Sequence, residues 1–433
     1  MALACLFLLI PASQAVSVTE NTEDLQVWPM VKSEGAVSHV IWIQKAGGWS
    51  GTSDVMYSRT TDTENWSAPL RLNPLEGHVK ANYQQQHPAL AVSGDEIRVF
   101  WVSNAVSPNQ IDSAYSHDGG LTWEVGGFVY DMDDEHHLTN FLEAEFDTEG
   151  RLHLLWQDTR GHTELRQMVL VSSSDGGINW TSPAVVDPFN TGNVEYPEGG
   201  YACECCRHSF VATEGGGVDI VYRHVDRFPS NETWYMYTAY LHWEVGNRPL
   251  IPTMVGEIWV TGGRICPENG PDIVRTGDGL AVLWGHAGKT YLAYDNGSGF
   301  GEQVPLGLGI VPSLGYVGGY LHYAYHDGDS VLRVLRVEDG GSVEVLNSSA
   351  GTQRFASVGI GVVLFQDYLN ESWEIASQSF EIPEQEAAMV EDDEGLPGFG
   401  PLATLIALIG AAGARSLRTR GRLIGFKQRP SDS

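Results

Sequence analysis

One repeated segment constrains this chain more than any other feature. A short apolar strand ending in an aromatic recurs as His39-Val40-Ile41-Trp42, Ile97-Arg98-Val99-Phe100-Trp101, Leu152-His153-Leu154-Leu155-Trp156, Val218-Asp219-Ile220-Val221-Tyr222, Leu280-Ala281-Val282-Leu283-Trp284, Tyr320-Leu321-His322-Tyr323-Ala324-Tyr325 and Val362-Val363-Leu364-Phe365. The copies fall about 40 to 65 residues apart, which is the spacing of four-stranded propeller blades. Each is followed by a strand carrying Tyr or Ser, a turn and a last strand. The final unit runs out near Ile382 after three strands, and residues 16–27 are placed to supply the fourth, closing the ring and hiding both edges. The sequence therefore predicts an all-β fold: a six- or seven-bladed β-propeller of four-stranded antiparallel blades over residues 16–383.

Composition agrees. The 433 residues include 50 Gly, 13 Trp and 17 Tyr but only 18% charged side chains, the balance of short strands and tight turns. With 42% hydrophobic residues the chain can bury a core, which excludes wholesale disorder. Twenty-five basic against 55 acidic residues give a net charge of −30. Nucleic acid is excluded as a partner, because phosphate binding needs a basic footprint. The only lysines are Lys32, Lys45, Lys80, Lys289 and Lys427.

The two ends read as targeting segments. Leu3 to Ile10 is apolar and Ser13-Gln14-Ala15 has small residues at the cleavage positions, so residues 1–15 read as a signal peptide cut after Ala15. An acidic linker, 384–396, leads to Pro397-Gly398-Phe399-Gly400, the apolar run Pro401 to Ala414, and Arg415, Arg418, Arg420, Arg422, Lys427 and Arg429. Leu396 to Ala414 spans 19 residues, enough to cross a bilayer as a transmembrane helix, and the basic cluster then leaves 423–433 as a cytoplasmic tail. The expectation is an extracellular propeller anchored at the cell surface. Pro-Gly-Phe, an apolar segment and an arginine cluster together resemble the PGF-CTERM sorting signal of archaeal surface proteins, here over 397–422. That resemblance implies an archaeosortase-like processing enzyme as a partner.

Two turns share a pattern. Ser116-His117-Asp118-Gly119-Gly120-Leu121-Thr122-Trp123 reads Ser-x-Asp-x-Gly-x-Thr-Trp, and Ser173-Ser174-Asp175-Gly176-Gly177-Ile178-Asn179-Trp180 repeats it with Asn for Thr. Ser58 to Trp66 is a degenerate third copy. The Asp accepts backbone N–H bonds across the turn, the Gly allows positive φ, and the Trp buries between sheets. These turns resemble the Asp boxes of the sialidase-like (BNR/Asp-box repeat) propeller superfamily, and the resemblance spans most of residues 28–380. It implies a propeller in which the boxes are turn staples on the face opposite the site.

In a propeller the loops leading into the innermost strands gather at one mouth. Here they carry His87, His136, His137, Glu143, Glu145, Glu195, Arg207, His208, Arg264, Glu268 and Asn269, while the loops after the second strands carry Asp158, Arg160, Arg223, His224 and Asp226. Convergent charges at a central funnel are the default site. Asp158, Glu195, Arg207, Arg223 and Arg264 are candidates for catalysis, and His87, Arg160, His208 and Glu268 for ligand binding. The sialidase resemblance implies three arginines on a carboxylate, a Tyr nucleophile and an Asp acid/base. Yet Trp28-Pro29-Met30 stands where sialidases show Arg-Ile-Pro. Asp158 and Arg160 also fit a loop-bracing pair.

Cys203, Cys205, Cys206 and Cys266 lie on two segments entering consecutive blades. In an exported protein they read as two disulfides of open pairing; the alternative is thiolates plus His208 on a metal. Asp131 to His137 lacks the spacing and glycine of a calcium loop and reads as a solvated acidic loop, so no metal or cofactor is expected. Six sequons, at Asn65, Asn179, Asn231, Asn296, Asn347 and Asn370, fit a glycosylated surface. The functional expectation is recognition of a glycan or other surface polymer at the funnel. The alternatives are an extracellular exo-sialidase-type glycoside hydrolase and a structural surface-layer component.

Overall fold

The computed structural model describes residues 15–19, 23–105, 109–130, 137–160, 165–186, 201–203, 205–228, 233–244, 252–261, 270–295, 297–317, 320–326, 332–336, 343–345, 352–369 and 371–380. The signal peptide up to residue 14, the linker, sorting segment and tail lie outside these residues. Among the described residues no helix is long and apolar enough to cross a membrane.

Among the described residues the strands form seven antiparallel sheets. Blade 1 runs outward from Leu25–Glu34 through Val37–Ala46 and Thr52–Thr60 to Leu70–Arg71. Blade 2 is Ala89–Ser93, Glu96–Ser103, Gln110–Ser116 and Glu124–Tyr130; blade 3 is His137–Phe146, Leu152–Arg160, Leu165–Ser173 and Ala184–Val185. Blade 4 is Ser209–Ala212, Val218–Phe228, Thr233–Trp243 and Thr253–Thr261, with Tyr201–Ala202 added beside the second strand. Blade 5 is Asp272–Thr276, Gly279–His286, Lys289–Asp295 and Val304–Leu308; blade 6 is Ile310–Val317, Tyr320–His326, Leu332–Arg336 and Val343–Val345. Blade 7 is Thr352–Gly359, Val362–Leu369 and Ser372–Ser379, completed by Val16–Ser17 from the start of the chain. Val16 pairs with Ser377 and Ser17 with Ala376. Each innermost strand neighbours the next, and that of blade 7 neighbours that of blade 1, so the ring is closed.

The repeated aromatics explain the packing. Trp42, Trp101, Trp156, Tyr222, Trp284, Tyr325 and Phe365 are all buried. They sit on successive second strands, between neighbouring sheets, within the apolar clusters that join blade to blade. Burying each stabilises the fold by roughly 2–3 kcal/mol before conformational entropy is counted.

The two matching turns share one geometry. Asp118 Oδ1 accepts from Leu121 N (3.0 Å), Thr122 N (2.8 Å) and Ser116 Oγ (2.8 Å), and its Oδ2 accepts from Thr122 Oγ1 (2.6 Å). Asp175 accepts from Asn179 N (2.8 Å), Asn179 Nδ2 (2.7 Å) and Ser173 Oγ (2.8 Å). The degenerate copy follows suit, with Asp62 accepting from Asn65 N at 2.7 Å and Asn65 Nδ2 at 2.8 Å. These bonds stabilise the ionised form and hold all three carboxyls down at about 2. An arginine of the preceding blade clasps each matching turn: Arg59 donates to Gly119 O, and Arg98 Nε to Gly176 O at 2.6 Å. Gly120 has φ +82°, and a Cβ there would meet Tyr57 Oη at 1.8 Å. Only glycine fits this approach.

A bulge interrupts four innermost strands, between Val27 and Met30, Asn140 and Glu143, Ile310 and Ser313, and Arg354 and Ser357. In three of them an aromatic takes positive φ: Trp28 (58°), Phe141 (53°) and Phe355 (52°). Bulges re-aim side chains. The residues just past these bulges, Met30, Glu143, Ser313 and Ser357, line the central bore.

Candidate functional site at the funnel

The innermost strands enclose a bore of about 490 Å³. Its charged wall includes Lys32, Glu143, Glu145, Arg207, Asp272 and Arg275. At one end a small pocket of about 50 Å³ is lined by Trp28, Gln84, His87, Arg207, Pro271 and Phe355. Arg207 borders both spaces.

Arg207 is fixed by the bulge on blade 3. Its Nε donates to Glu143 Oε1 at 2.6 Å, and the guanidinium side chain keeps 34% of its surface exposed against 8% for Glu143. Burial pushes the Glu143 carboxyl up, while the Arg207 and Lys32 charges pull it back. Glu145 is likewise pushed up by burial, with Lys32 as its cationic neighbour at 4.0 Å. Lys32 Nζ also donates to Ala144 O at 3.1 Å. Asp272 accepts from Ser209 Oγ (2.8 Å) and from Leu314 N (2.8 Å), so it ties blades 4, 5 and 6 together at the bore.

Two buried histidines flank Phe141. Ring centroids are 6.3 Å apart for His87 and Phe141 and 6.1 Å for Phe141 and His208. Burial, with Arg207 adding to it, lowers His87 to about 4. Burial, then His87 and Arg207, lowers His208 to about 3. Both imidazoles are therefore neutral at pH 7. His87 Nδ1 lies 3.1 Å from Pro88 O. A carbonyl only accepts, so Nδ1 carries the proton and Nε2 is left as an acceptor. His87 Nε2 and His208 Nε2 are buried with no partner among the described residues.

The sequence-predicted candidates divide. Arg207 and His87 line the mouth pocket, and His208 lies behind it against Phe141. Arg223 is not among the residues that line the pocket or the bore. It is buried between blades 4 and 5, where one terminal nitrogen donates to Gly285 O at 2.7 Å and its guanidinium carbon sits 4.7 Å from the Trp259 ring centre. Trp259 in turn stacks on His286 at 3.7 Å. Asp158 is buried in blade 3, opposite Thr139 and Gln167 in register. Glu195, Arg264, Glu268 and the Arg160 side chain lie outside the described residues.

Cys205 is disulfide-bonded, and Cys203 and Cys206 are buried. They pack against Val225 and Met236 in a small apolar cluster. Cys266 lies outside the described residues. Of the sequons, Asn65 and Asn179 stand exposed on their turns. Asn231, Asn296, Asn347 and Asn370 lie outside the described residues.

Sequence reasoning missed Lys32 and Asp272. Lys32 carried a signal, being one of five lysines and placed on a first strand. Asp272 follows Gly270-Pro271 directly at a strand start, the place where loops reach the mouth.

No family model matches the chain, and no curated protein matches it. Solved structures do. A polysaccharide lyase of a new family, an ulvan lyase bound to a GlcA(1-4)Rha3S unit, superposes with a TM-score of 0.56 at 12% identity, covering 87% of this chain and 99% of the lyase. The Penicillium chrysogenum α-L-arabinanase complexed with arabinobiose gives 0.50 at 14%, covering 86% and 98%. The Trypanosoma rangeli sialidase gives 0.46 at 10%, covering 87% and 59%. The chain shares the propeller fold of glycan-acting enzymes.

Proposed function

We propose that this propeller recognises an acidic glycan at the funnel mouth, with Arg207 as the anchor. The observation that carries the reading is the Arg207 geometry. Glu143 occupies Nε at 2.6 Å, which fixes the guanidinium plane and leaves its two terminal nitrogens for a ligand between pocket and bore. A planar fork of that kind matches a carboxylate or sulfate bidentately. His87 adds a neutral acceptor at the same pocket, suited to a sugar hydroxyl. The fold neighbours' bound sugars support a glycan over a peptide. The test is binding to a panel of acidic and neutral polysaccharides by calorimetry, with Arg207→Ala alongside. Binding of neutral chains only, or undiminished binding by the variant, sinks the reading.

A second reading, glycoside hydrolysis, is favoured by one observation. Glu143 and Asp272 share the bore; burial pushes the Glu143 carboxyl up, and Asp272 accepts from Ser209 Oγ and Leu314 N. Carboxyl groups in contrasting settings are what acid and base roles require. New reducing ends that vanish in Glu143→Gln and Asp272→Asn identify it. An exo-sialidase-type triad is disfavoured by the separate placement of Arg223.

We also propose that the chain is exported and held at the cell surface by its C-terminal segment, after or without processing by an archaeosortase-like enzyme. The apolar Pro401 to Ala414 run and the arginines beyond it support this. Recovery of the full-length chain in a soluble cytoplasmic fraction counts against it.

A further inference from the structure

An arginine beside the mouth pocket stands apart from the other funnel cations. Arg354 lies on the first strand of blade 7, immediately before Phe355, which lines the pocket. Lys32, Arg207 and Arg275 at the bore each face a carboxylate. Arg354 is exposed and has no carboxylate partner among the described residues. Its guanidinium carbon sits 5.7 Å from the ring centre of Trp373. A cation–π contact orients the head group without an anion, so its planar fork of N–H donors remains for a ligand. The chain carries a net charge of −30, so carboxylates are plentiful on it. An exposed arginine left without one at the rim of a site marks a place for an acid group that a ligand brings.

Trp28 connects this arginine to an exposed ring. Arg354 pairs in register with Gln366, and Gln366 Oε1 accepts from Trp28 N at 2.9 Å. That bond joins blade 7 to blade 1 and holds Trp28, with φ at 58°, at the pocket wall. The Trp28 ring centre lies 6.5 Å from that of Trp49, which is 52% exposed. Trp49 stands in the turn between the second and third strands of blade 1. Gly47 and Gly48 take φ of +77° and +85° there, and Gly51 N donates to Gly48 O at 3.0 Å. A large ring left in water at the edge of a pocket offers a flat apolar face, on which the C–H face of a sugar ring can pack. Trp and Arg are also the side chains that most often dominate recognition surfaces.

We infer that the mouth carries a second subsite beside Trp28, in which Arg354 takes a further acid group of the glycan held by Arg207 and Trp49 packs on a sugar ring of the same chain. The inference rests on the acidic-glycan reading and narrows it. The ligand is a polyanionic polysaccharide with acid groups on more than one sugar, gripped along its length rather than by a single terminal sugar. Once Arg207 has engaged, the second contact is intramolecular, so affinity exceeds that of either contact alone. The separation of the two arginines then selects among polymers by the spacing of their acid groups.

The experiment is titration calorimetry of the intact chain at fixed salt with galacturonate and mannuronate oligomers of one to six sugars. Affinity should climb with length, by on the order of a hundredfold from the monosaccharide to the longest oligomer. Arg354→Gln and Trp49→Ala should each cost the longest oligomer about tenfold and flatten that climb. Both side chains are exposed, so neither change threatens the fold. Lys289→Gln removes the same charge from another exposed position and should leave the climb intact. An equal loss in Lys289→Gln would mean a general field effect and overturns the subsite. So does a longest-oligomer affinity unchanged in Arg354→Gln or in Trp49→Ala. Acid sugars that bind through Arg207 with no gain from length remove the subsite and leave the acidic-glycan reading standing. No binding of either series at any length removes both.

Discussion

Arg207 on blade 4's approach and Glu143 on blade 3 meet at 2.6 Å because the bulge after Asn140 turns Glu143 into the bore. The pair sets the direction of the guanidinium fork, so charge alone will not replace it. Arg207→Lys keeps the charge but loses the two-pronged contact. Both Arg207→Lys and Arg207→Ala should weaken acidic-glycan binding at least about tenfold, or about 1.4 kcal/mol. Titration calorimetry at fixed salt checks this. Restoration of full affinity by lysine would mean that the site reads charge only.

The histidines beside Phe141 predict an acid-sensitive fold. Their folded pKa values, about 4 for His87 and about 3 for His208, lie below the unfolded value near 6.5. The unfolded state therefore takes up protons first. Stability from keeping them neutral is present above about pH 6.5 and is lost as pH falls toward 4 and below, at up to roughly 3 kcal/mol for His87 and roughly 5 kcal/mol for His208. Chemical denaturation across that window should show a steep fall that flattens in a His87→Gln, His208→Gln double variant. An unchanged slope would mean that these rings are not buried in solution.

A different window belongs to the turn carboxylates. Asp62, Asp118 and Asp175 are held down to about 2 by local donors, so their contribution is present above the usual aspartate range and is lost only as pH falls through about 2. Asp118→Ala removes the acceptor for Leu121 N, Thr122 N and Thr122 Oγ1 together. It should lower the Tm by a few degrees at neutral pH while leaving glycan binding at the mouth intact. A variant that lost binding with no change in Tm would place the turn in the site instead.

How much of this was readable beforehand follows from where the periodicity lies. The second strands were legible because each must end in a large aromatic that fills the space between sheets, as Trp156 and Trp284 do. The closure by Val16–Ser17 was legible from a missing fourth strand. The site was only half legible. His87 and Arg207 sit on loops that lead to the mouth, but Arg223 looked equivalent until the sheet pairing put it between blades. Asp272 and Lys32 were missed because alternation assigns a strand residue to a face without saying whether that face meets a neighbouring sheet or the open bore. Bulges add to this, since one extra residue re-aims Glu143 with no mark in composition.

Trp156 tests the inter-blade core directly. It is fully buried, and its ring lies 5.5 Å from that of Tyr130 on the preceding blade. Trp156→Ala should cost about 3–5 kcal/mol, the range for deleting a large buried aromatic. A loss below about 1 kcal/mol in denaturant melts would mean that the blades pack loosely there.

The sequons on the turns carry a conflict that can be measured. Asn65 Nδ2 donates to Asp62 at 2.8 Å and Asn179 Nδ2 to Asp175 at 2.7 Å, although both side chains are exposed. Glycan transfer needs that same amide nitrogen as its nucleophile. A transferase acting on the folded chain must first break the bond to the carboxylate, which competes for the nitrogen. Occupancy at Asn65 and Asn179 should therefore be low in the wild-type chain made in a glycosylating host. It should rise in Asp62→Ala and Asp175→Ala, each at its own sequon. Glycopeptide mapping reads this site by site. High occupancy at both in the wild type would show that modification precedes closure of the turns, because a closed turn holds the nitrogen against its carboxylate.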